Sequence, residues 1–451
     1  MSDNPIIKPQ PISGFPEWLP EEKLVEERLL RIIREEFERY GFTPIETPAV
    51  ERKEVLSAKG VVEKEIYALS RLAAGEGEDP STEMALHFDL TVPLARYVAQ
   101  HFGKLTFPFR RYQIQKVWRG ERPQAGRFRE FHQCDIDIVG NNSLSALNDA
   151  EIPCVIHAIF SRIGIGRFVI RINNRKVLQG LLEHYGVAAA RYADGLRAVD
   201  SLEKIGRDAV ARELAAQAGM EPGKAGALLD ALTGEADLEA LKPIAGDSGL
   251  LADGLADLEE VSAGLKALGV SQDCWRIDLT IARGLDYYTG TVYETQLVDH
   301  PEVGSICSGG RYDDLASNYT RQKLPGVGIS IGLTRLLSRL FDAGLLKPAG
   351  QTPAAALVTV MDRAHLDRYL AIASTLRAAG LNIEVYTERK KLGDQLKYAD
   401  KKGFPAAIII GDDEFSEGVA LVKNLRAGTQ DRVRQADLPT TLKALIASEE
   451  G

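Results

Sequence analysis

The sequence predicts an α+β chain: a large domain on an antiparallel sheet, interrupted by a helical insertion and followed by a smaller α/β domain. Three observations predict it. Two long segments, 107–118 and 128–139, alternate with period two, and shorter ones return at 275–281 and 290–297, as strands with one buried face do. Between these groups, residues 190–268 are Ala-rich, with Leu255, Leu258, Val261, Leu265 and Leu268 at helical spacing. Beyond Pro348 and Gly350, which read as a linker, strand and helix patterns alternate.

Residues 20–40 read as an amphipathic helix opened by Pro20, with Leu24, Val25, Leu29, Ile32 and Ile33 on one stripe. Gly41 ends it, and a strand leads to Pro48. Asp89 and Thr91 are placed two apart in another short strand. The two long strands flank a polar loop from Gly120 to Gly126, and an apolar helix begins near Gly332. In the tail, Ala356–Val360 is a strand and a helix runs to about Ala379. Ile383–Tyr386 is a second strand, a helix starts at Asp394, and Ala406–Ile410 is a buried strand. That alternation predicts helices against a largely parallel core. The boundaries drawn are 1–185 with 270–345 for the sheet domain, 186–269 for the insertion and 352–451 for the tail.

Composition narrows the function classes. At 45% hydrophobic and 26% charged, the 451 residues suit a soluble globular protein. No run of about eighteen apolar residues predicts a membrane span, and Met1 to Gln10 lack the pattern of a secretory signal. Cys134, Cys154, Cys274 and Cys307 are far apart, so they read as reduced thiols of a cytosolic protein rather than zinc ligands or disulfides. Residues 352–451 hold 14 basic and 14 acidic residues, so the net charge of −9 belongs to the first 351. A neutral tail with the cluster Arg389, Lys390, Lys391, Lys397, Lys401 and Lys402 is compatible with RNA contact.

The chemistry concentrates in four places. Arg119-Gly120-Glu121 closes one long strand and Arg127 opens the next. Guanidinium forks suit phosphate oxygens, so the hairpin is either a triphosphate clamp or a solvated turn. In the second strand Gln133, Asp135 and Asp137 share a face; buried, they require either a structural hydrogen-bond network or a polar ligand. Arg283-Gly284-Leu285-Asp286-Tyr287-Tyr288 sets an arginine, an acid and two phenols beside glycines, as a pocket for a small ring requires. Ser308-Gly309-Gly310-Arg311-Tyr312-Asp313 and Gly326–Arg335 repeat the pattern of small residues followed by arginine. The P-loop motif does not occur.

With these stretches in this order, the chain resembles the histidyl-tRNA synthetase family over nearly its full length. Arg119-Gly120-Glu121 and Gly332-Leu333-Thr334-Arg335 resemble the second and third signatures of class II synthetases, and the strand ending at Pro48 resembles the first, a dimer element. Arg283–Tyr288 and Ser308–Asp313 are the stretches specific to histidine. The resemblance implies a class II catalytic domain and an anticodon-binding tail. It also implies ATP as substrate accompanied by Mg²⁺, with no protein-ligated metal. The partners implied are L-histidine and tRNA-His, in a cytoplasmic homodimer without a membrane role.

By position, the resemblance places Arg119 on the α-phosphate and the substrate carboxylate, and Arg283 on charge developing at that phosphate. Glu121 falls on the adenine side, and Arg127 with Arg335 on the outer phosphates. Asp89, Leu90, Thr91 and Gln133 surround the α-amino group. Asp137 and Tyr288 take the two imidazole nitrogens, while Tyr287 and Tyr312 close the pocket. Gln124, Arg389, Lys390 and Lys391 face tRNA. Three positions depart from the family pattern: Ser13–Trp18 in place of Arg-Gly-Thr-Arg-Asp, His87 in place of a common arginine, and Thr334 in place of an acid. A rival with the same core, the regulatory subunit of ATP phosphoribosyltransferase, lacks the tail domain and typically erodes the phosphate-binding arginines. Class II synthetases for proline, threonine or glycine are the other alternative.

Overall fold

The computed structural model describes residues 7–58, 65–70, 83–124, 126–234, 238–246, 248–282, 287–314, 316–348 and 350–450, with side chains to 447. Two compact units are formed, Met1–Glu17 with Leu29–Leu346, and Trp18–Arg28 with Lys347–Gly451.

In chain order the first unit contains β1 (Thr43–Pro44), β2 (Val50–Arg52), β3 (Met84–Leu86), β4 (Phe109–Trp118) and β5 (Glu130–Val139). These are followed by β6 (Phe168–Asn174), β7 (Trp275–Ile277), β8 (Thr291–Leu297), β9 (Ser305–Tyr312) and β10 (Gly326–Gly332). Eight of them make one sheet in the order β1-β4-β5-β10-β9-β8-β6-β7, and β2 pairs with β3 separately. Only the edge pairs β1–β4 and β6–β7 are parallel. The β4–β5 hairpin runs in register from Phe109 opposite Val139 to Trp118 opposite Glu130. Its length follows from the unbroken alternation of both segments, and it holds the polar face of β5 at the centre of the sheet.

Helix Leu147–Ile163 packs against β9 and β10. Helices from Tyr192 to Ala267 form the insertion between β6 and β7. Its last helix, Gly249–Ala267, starts at Ser248, whose hydroxyl accepts the N–H of Leu251 at 3.3 Å. Small residues let it lie close to two neighbours. A Cβ on Gly254 would stand 2.7 Å from the Val177 nitrogen, and one on Gly264 2.5 Å from the Ala150 Cβ. The insertion is therefore tightly joined to the helices behind the sheet.

The second unit has β11 (Ala356–Val358), β12 (Ile383–Val385), β13 (Ala406–Ile409), β14 (Val419–Asn424) and β15 (Gln430–Arg434), ordered β12-β11-β13-β14-β15. The first three are parallel as the sequence predicts, and β14 and β15 add an antiparallel hairpin that it does not. Helices Leu366–Ala378, Leu392–Lys402 and Leu438–Glu450 belong to the same unit.

One expectation is corrected. Asp89 and Thr91 are not in a strand: β3 ends at Leu86, and Thr91 begins the helix Thr91–His101. The Asp89 carboxylate accepts the N–H of Val92 at 3.1 Å, satisfying one of the open donors of that helix end. Pro93 suits this first turn, where its missing N–H costs nothing.

Candidate active site

Three rows of side chains cross β4, β5 and β10. Arg111, Asp137 and Gly328 form the first, Gln113, Asp135 and Ser330 the second, and Gln115, Gln133 and Gly332 the third. The period of two puts all nine on one face. Gly328 is required there, because a Cβ would fall 2.3 Å from Asp137 Oδ1. Arg111, fully buried, pairs with Asp137 at 2.5 Å, and Tyr312 donates its hydroxyl to the same carboxylate at 2.8 Å. Each carboxylate oxygen accepts more than one hydrogen, so Asp137 retains capacity for a ligand. Tyr287 meets Tyr288 and Tyr312 edge-on, with ring centres 4.9 and 6.1 Å apart.

The strand carrying these phenols is pinned from behind. Arg311 forks onto Asp149, a residue 1% exposed, through Nε at 3.0 Å and Nη2 at 2.6 Å. Thr291 donates to that carboxylate at 2.7 Å, and Thr289 donates to Asp313 at 2.6 Å.

Burial dominates the electrostatics. It pushes the Asp89 carboxyl up to about 6 and the Asp135 carboxyl up to about 7. It also raises Asp137, against the opposing pull of Arg111 and Tyr312. Burial raises the Tyr287, Tyr288 and Tyr312 phenols as well, keeping them as hydrogen-bond donors.

The other end of the site is cationic. Arg119 donates through Nε to the Phe88 carbonyl at 2.9 Å and lies over the Phe131 ring at 5.1 Å. This directs the guanidinium of a strand-end residue. Arg127, on the exposed loop, reaches Glu121 at 3.5 Å. The loop is braced from two sides: Gly120 donates its N–H to the Glu65 carbonyl at 2.7 Å, and Arg129 donates its N–H to the Gly14 carbonyl at 2.7 Å. Gly14 belongs to the segment that departs from the family start, and its backbone still clasps the hairpin. The hydroxyl of Thr334, at the second departure, accepts the His132 N–H at 2.9 Å, which uses it structurally. His87, the third, accepts or donates through Nε2 at the Lys116 carbonyl, 2.7 Å away, and stacks on Trp118.

A cavity of about 490 Å³ joins the two ends, within the size range of small-molecule sites. Asp89, Thr91, Gln133, Asp137, Tyr287, Tyr288 and Tyr312 line it, as do Arg119, Glu121, Arg127 and Arg335. Leu90 does not; it is buried, and its carbonyl accepts from Arg111 at 3.4 Å. Gln124 is exposed on the hairpin loop, with its backbone paired to Arg127. Arg283 lies outside the described residues. In the second unit Arg389, Lys390 and Lys391 are exposed, while Lys402 is engaged by Glu384 and Tyr398. The structure adds Glu65, Ser330 and Arg339 to the lining and Arg111 behind it. Arg111 was detectable in the sequence, since Arg111, Gln113 and Gln115 alternate on β4 as their partners do on β5. Glu65 carries no comparable sequence signal.

A largely antiparallel sheet with an arginine-bearing hairpin, a glycine-rich last strand running into an arginine-bearing helix, and a separate α/β unit together define a class II aminoacyl-tRNA synthetase. Within that class, the histidyl-tRNA synthetase family matches residues 14–336 and an anticodon binding domain matches 355–445. This chain belongs to the histidyl-tRNA synthetase family. It is 48% identical to histidine–tRNA ligase of Xanthomonas axonopodis pv. citri, across 97% of this chain and 96% of the relative. The ligase of Stenotrophomonas maltophilia is also 48% identical, across 97% and 98%. The solved histidyl-tRNA synthetase of Nostoc sp. superposes with a TM-score of 0.90 at 45% identity, covering 97% of this chain and all of that one. A Bacillus halodurans structure described as an ATP phosphoribosyltransferase regulatory subunit/histidyl-tRNA synthetase shares the fold, with a TM-score of 0.70 at 20% identity. No helix among the described residues is long and apolar enough to cross a membrane.

Proposed function

We infer that this chain is a histidine–tRNA ligase: it joins L-histidine to ATP as histidyl-adenylate, releasing pyrophosphate, and transfers histidine to the 3′ end of tRNA-His. The observation that carries this reading is one cavity with carboxylates and phenols at one end and guanidinium groups at the other. Asp89, Thr91 and Gln133 take the α-ammonium, and Asp137 with Tyr288 the two ring nitrogens. Arg119 directs the substrate carboxylate toward the α-phosphate, Glu121 holds the adenine side, and Arg127 with Arg335 hold the outer phosphates. Arg283 stabilises the charge that builds as the carboxylate attacks. Magnesium enters with ATP, and the lining carboxylates Glu65 and Glu121 offer the hard oxygen donors it prefers. Residues 1–185 and 270–345 form the catalytic domain, 186–269 the insertion and 352–451 the tRNA-reading domain of a cytoplasmic homodimer.

The rival reading, a regulatory subunit, requires no catalysis. ATP–pyrophosphate exchange across the twenty amino acids decides between them. Histidine alone should support it, because a site built for two ring nitrogens rejects analogues that leave its buried groups unpaired, by about 10⁴-fold in the best cases. Equal exchange with proline or threonine, or none with histidine, overturns the ligase reading.

The tail supplies a separate expectation. Arg389, Lys390 and Lys391 precede the helix Leu392–Lys402 and are exposed together. Replacing all three with alanine should raise the KM for tRNA about tenfold and leave pyrophosphate exchange unchanged. The slope of log affinity against log salt should fall by about 0.7 for each phosphate that is no longer neutralised. An unaltered slope assigns these residues to solvent.

A further inference from the structure

The second and third rows of the sheet contain more hydrogen-bonding capacity than the ligand contacts use, and its direction is fixed at one end. Gln115 donates through Nε2 to the Thr47 main-chain carbonyl at 3.1 Å, a group that only accepts. Its Oε1 is therefore the atom turned to Gln113, which donates to it at 2.7 Å and to the Thr47 hydroxyl at 3.0 Å. Both N–H groups of Gln113 are then used. Its Oε1 is buried with no partner among the described residues, and so is Oδ1 of Asp135. These residues are direct cross-strand neighbours, at the spacing where opposed side chains interact. Two facing acceptors need one proton between them, and Asp135 is the group able to carry it.

The rest of the direction follows. Ser330, paired with Asp135 in register, hydrogen-bonds its carboxyl. Gln133 approaches the Ser330 hydroxyl through Nε2 at 2.6 Å. Ser330 accepts from Gln133, so its own hydrogen goes to Asp135. What remains is Gln133 Oε1, which has no partner among the described residues, on a side chain that lines the cavity. Which end of a side-chain amide faces a ligand is set by its network, and here the network runs back to a main-chain carbonyl.

We propose that Gln113, neutral Asp135 and Ser330 are positioning residues that hold the Gln133 amide with its oxygen toward the cavity, so that the site accepts an ammonium and disfavours a hydroxyl in its place. This rests on the ligase reading and names what sets its amino-group selectivity. The charged groups around Asp135 agree with a neutral acid: Asp89 and Asp137 oppose its ionisation, Arg111 favours it, and burial outweighs all three. Cys307 also borders it. A directed chain of this kind is strengthened by its own polarisation.

The test uses the full-length protein and pyrophosphate exchange, with melting curves alongside. Ser330→Ala frees the amide to turn. It should raise the KM for histidine about tenfold, the scale of one hydrogen bond, with the KM for ATP and kcat within about twofold. It should also reduce discrimination between histidine and its α-hydroxy analogue, measured as inhibition constants, by a similar factor. Asp135→Asn reproduces the protonated acid, donating to Gln113 and accepting from Ser330, and should keep the KM for histidine within about threefold. Asp135→Leu, which breaks the chain, should behave as Ser330→Ala does. An Asn variant that melts normally yet loses histidine as the Leu variant does overturns the proposal, because the charge is then what matters. So does an unchanged discrimination ratio in Ser330→Ala. Absence of histidine-dependent exchange in the unmodified protein instead refutes the ligase reading itself.

Discussion

Replacing Arg283 with alanine is expected to slow histidyl-adenylate formation by roughly 10²–10³-fold, the scale for losing one donor aimed at developing charge. As the histidine carboxylate attacks the α-phosphorus, negative charge accumulates on the phosphoryl oxygens, and a fixed guanidinium stabilises that state more than the ground state. Lysine keeps the charge without the planar fork, so Arg283→Lys should recover little. Its flanks support a fixed position. Asn173 donates to the carbonyls of Leu279 and Ile281 at 3.2 and 2.9 Å, and Tyr287 lines the cavity. Transfer from preformed adenylate to tRNA should be affected much less, since the α-phosphate is then leaving. The competing account has Arg283 merely pairing with Asp286 to hold a turn. Single-turnover rates of both steps separate the two: equal losses with a lowered melting point decide for the turn.

The Arg111–Asp137 pair carries the second large effect. Asp137→Ala leaves a guanidinium with no exposure facing no carboxylate, and breaking a buried pair on one side costs about 3–5 kcal/mol. The same change should raise the KM for histidine about 10²-fold or more and leave that for ATP little altered. Stability and binding are separable because a buried pair replaced on both sides by apolar groups is often neutral or stabilising. Arg111→Met with Asp137→Leu should therefore regain most of the forfeited stability in urea unfolding without regaining histidine. If the double variant regains histidine-dependent exchange, Asp137 serves Arg111 alone. If Asp137→Ala unfolds at the parent urea concentration, the pair is not the strut described.

Much of this architecture was readable from periodicity, because long elements with one buried face repeat their pattern over many residues. The β4–β5 hairpin, the helix Pro20–Arg39 and the parallel strands of the tail were of this kind. Helix Leu147–Ile163 gave no such signal: it is buried on most sides and contains Pro153, so its apolar residues do not mark a stripe. The β14–β15 hairpin was too short to show alternation. Asp89 and Thr91 were misplaced because five residues read equally well as a strand end or a helix start, although the pattern Asp-Leu-Thr-Val-Pro carried a first-turn proline. In the site, polar residues on one face of β5 were visible, whereas their bonding depended on partners contributed by β4 and β10, nearly two hundred residues apart in the chain for Gln133 and Ser330.

The glycines of β9 and β10 limit how the site can escape an inhibitor. At Gly309 an added Cβ would lie 2.1 Å from the Gly328 carbonyl, and at Gly328 2.3 Å from the Ile136 carbonyl. Both obstacles are main chain, which no rotamer change moves aside. Both glycines line the cavity. A compound seated against this stretch of bare backbone meets a surface that one amino-acid exchange cannot reshape without shifting the sheet. Resistance would have to arise from the side-chain-bearing walls, at positions such as Tyr287 or Gln133, where change also damages the substrate's own contacts.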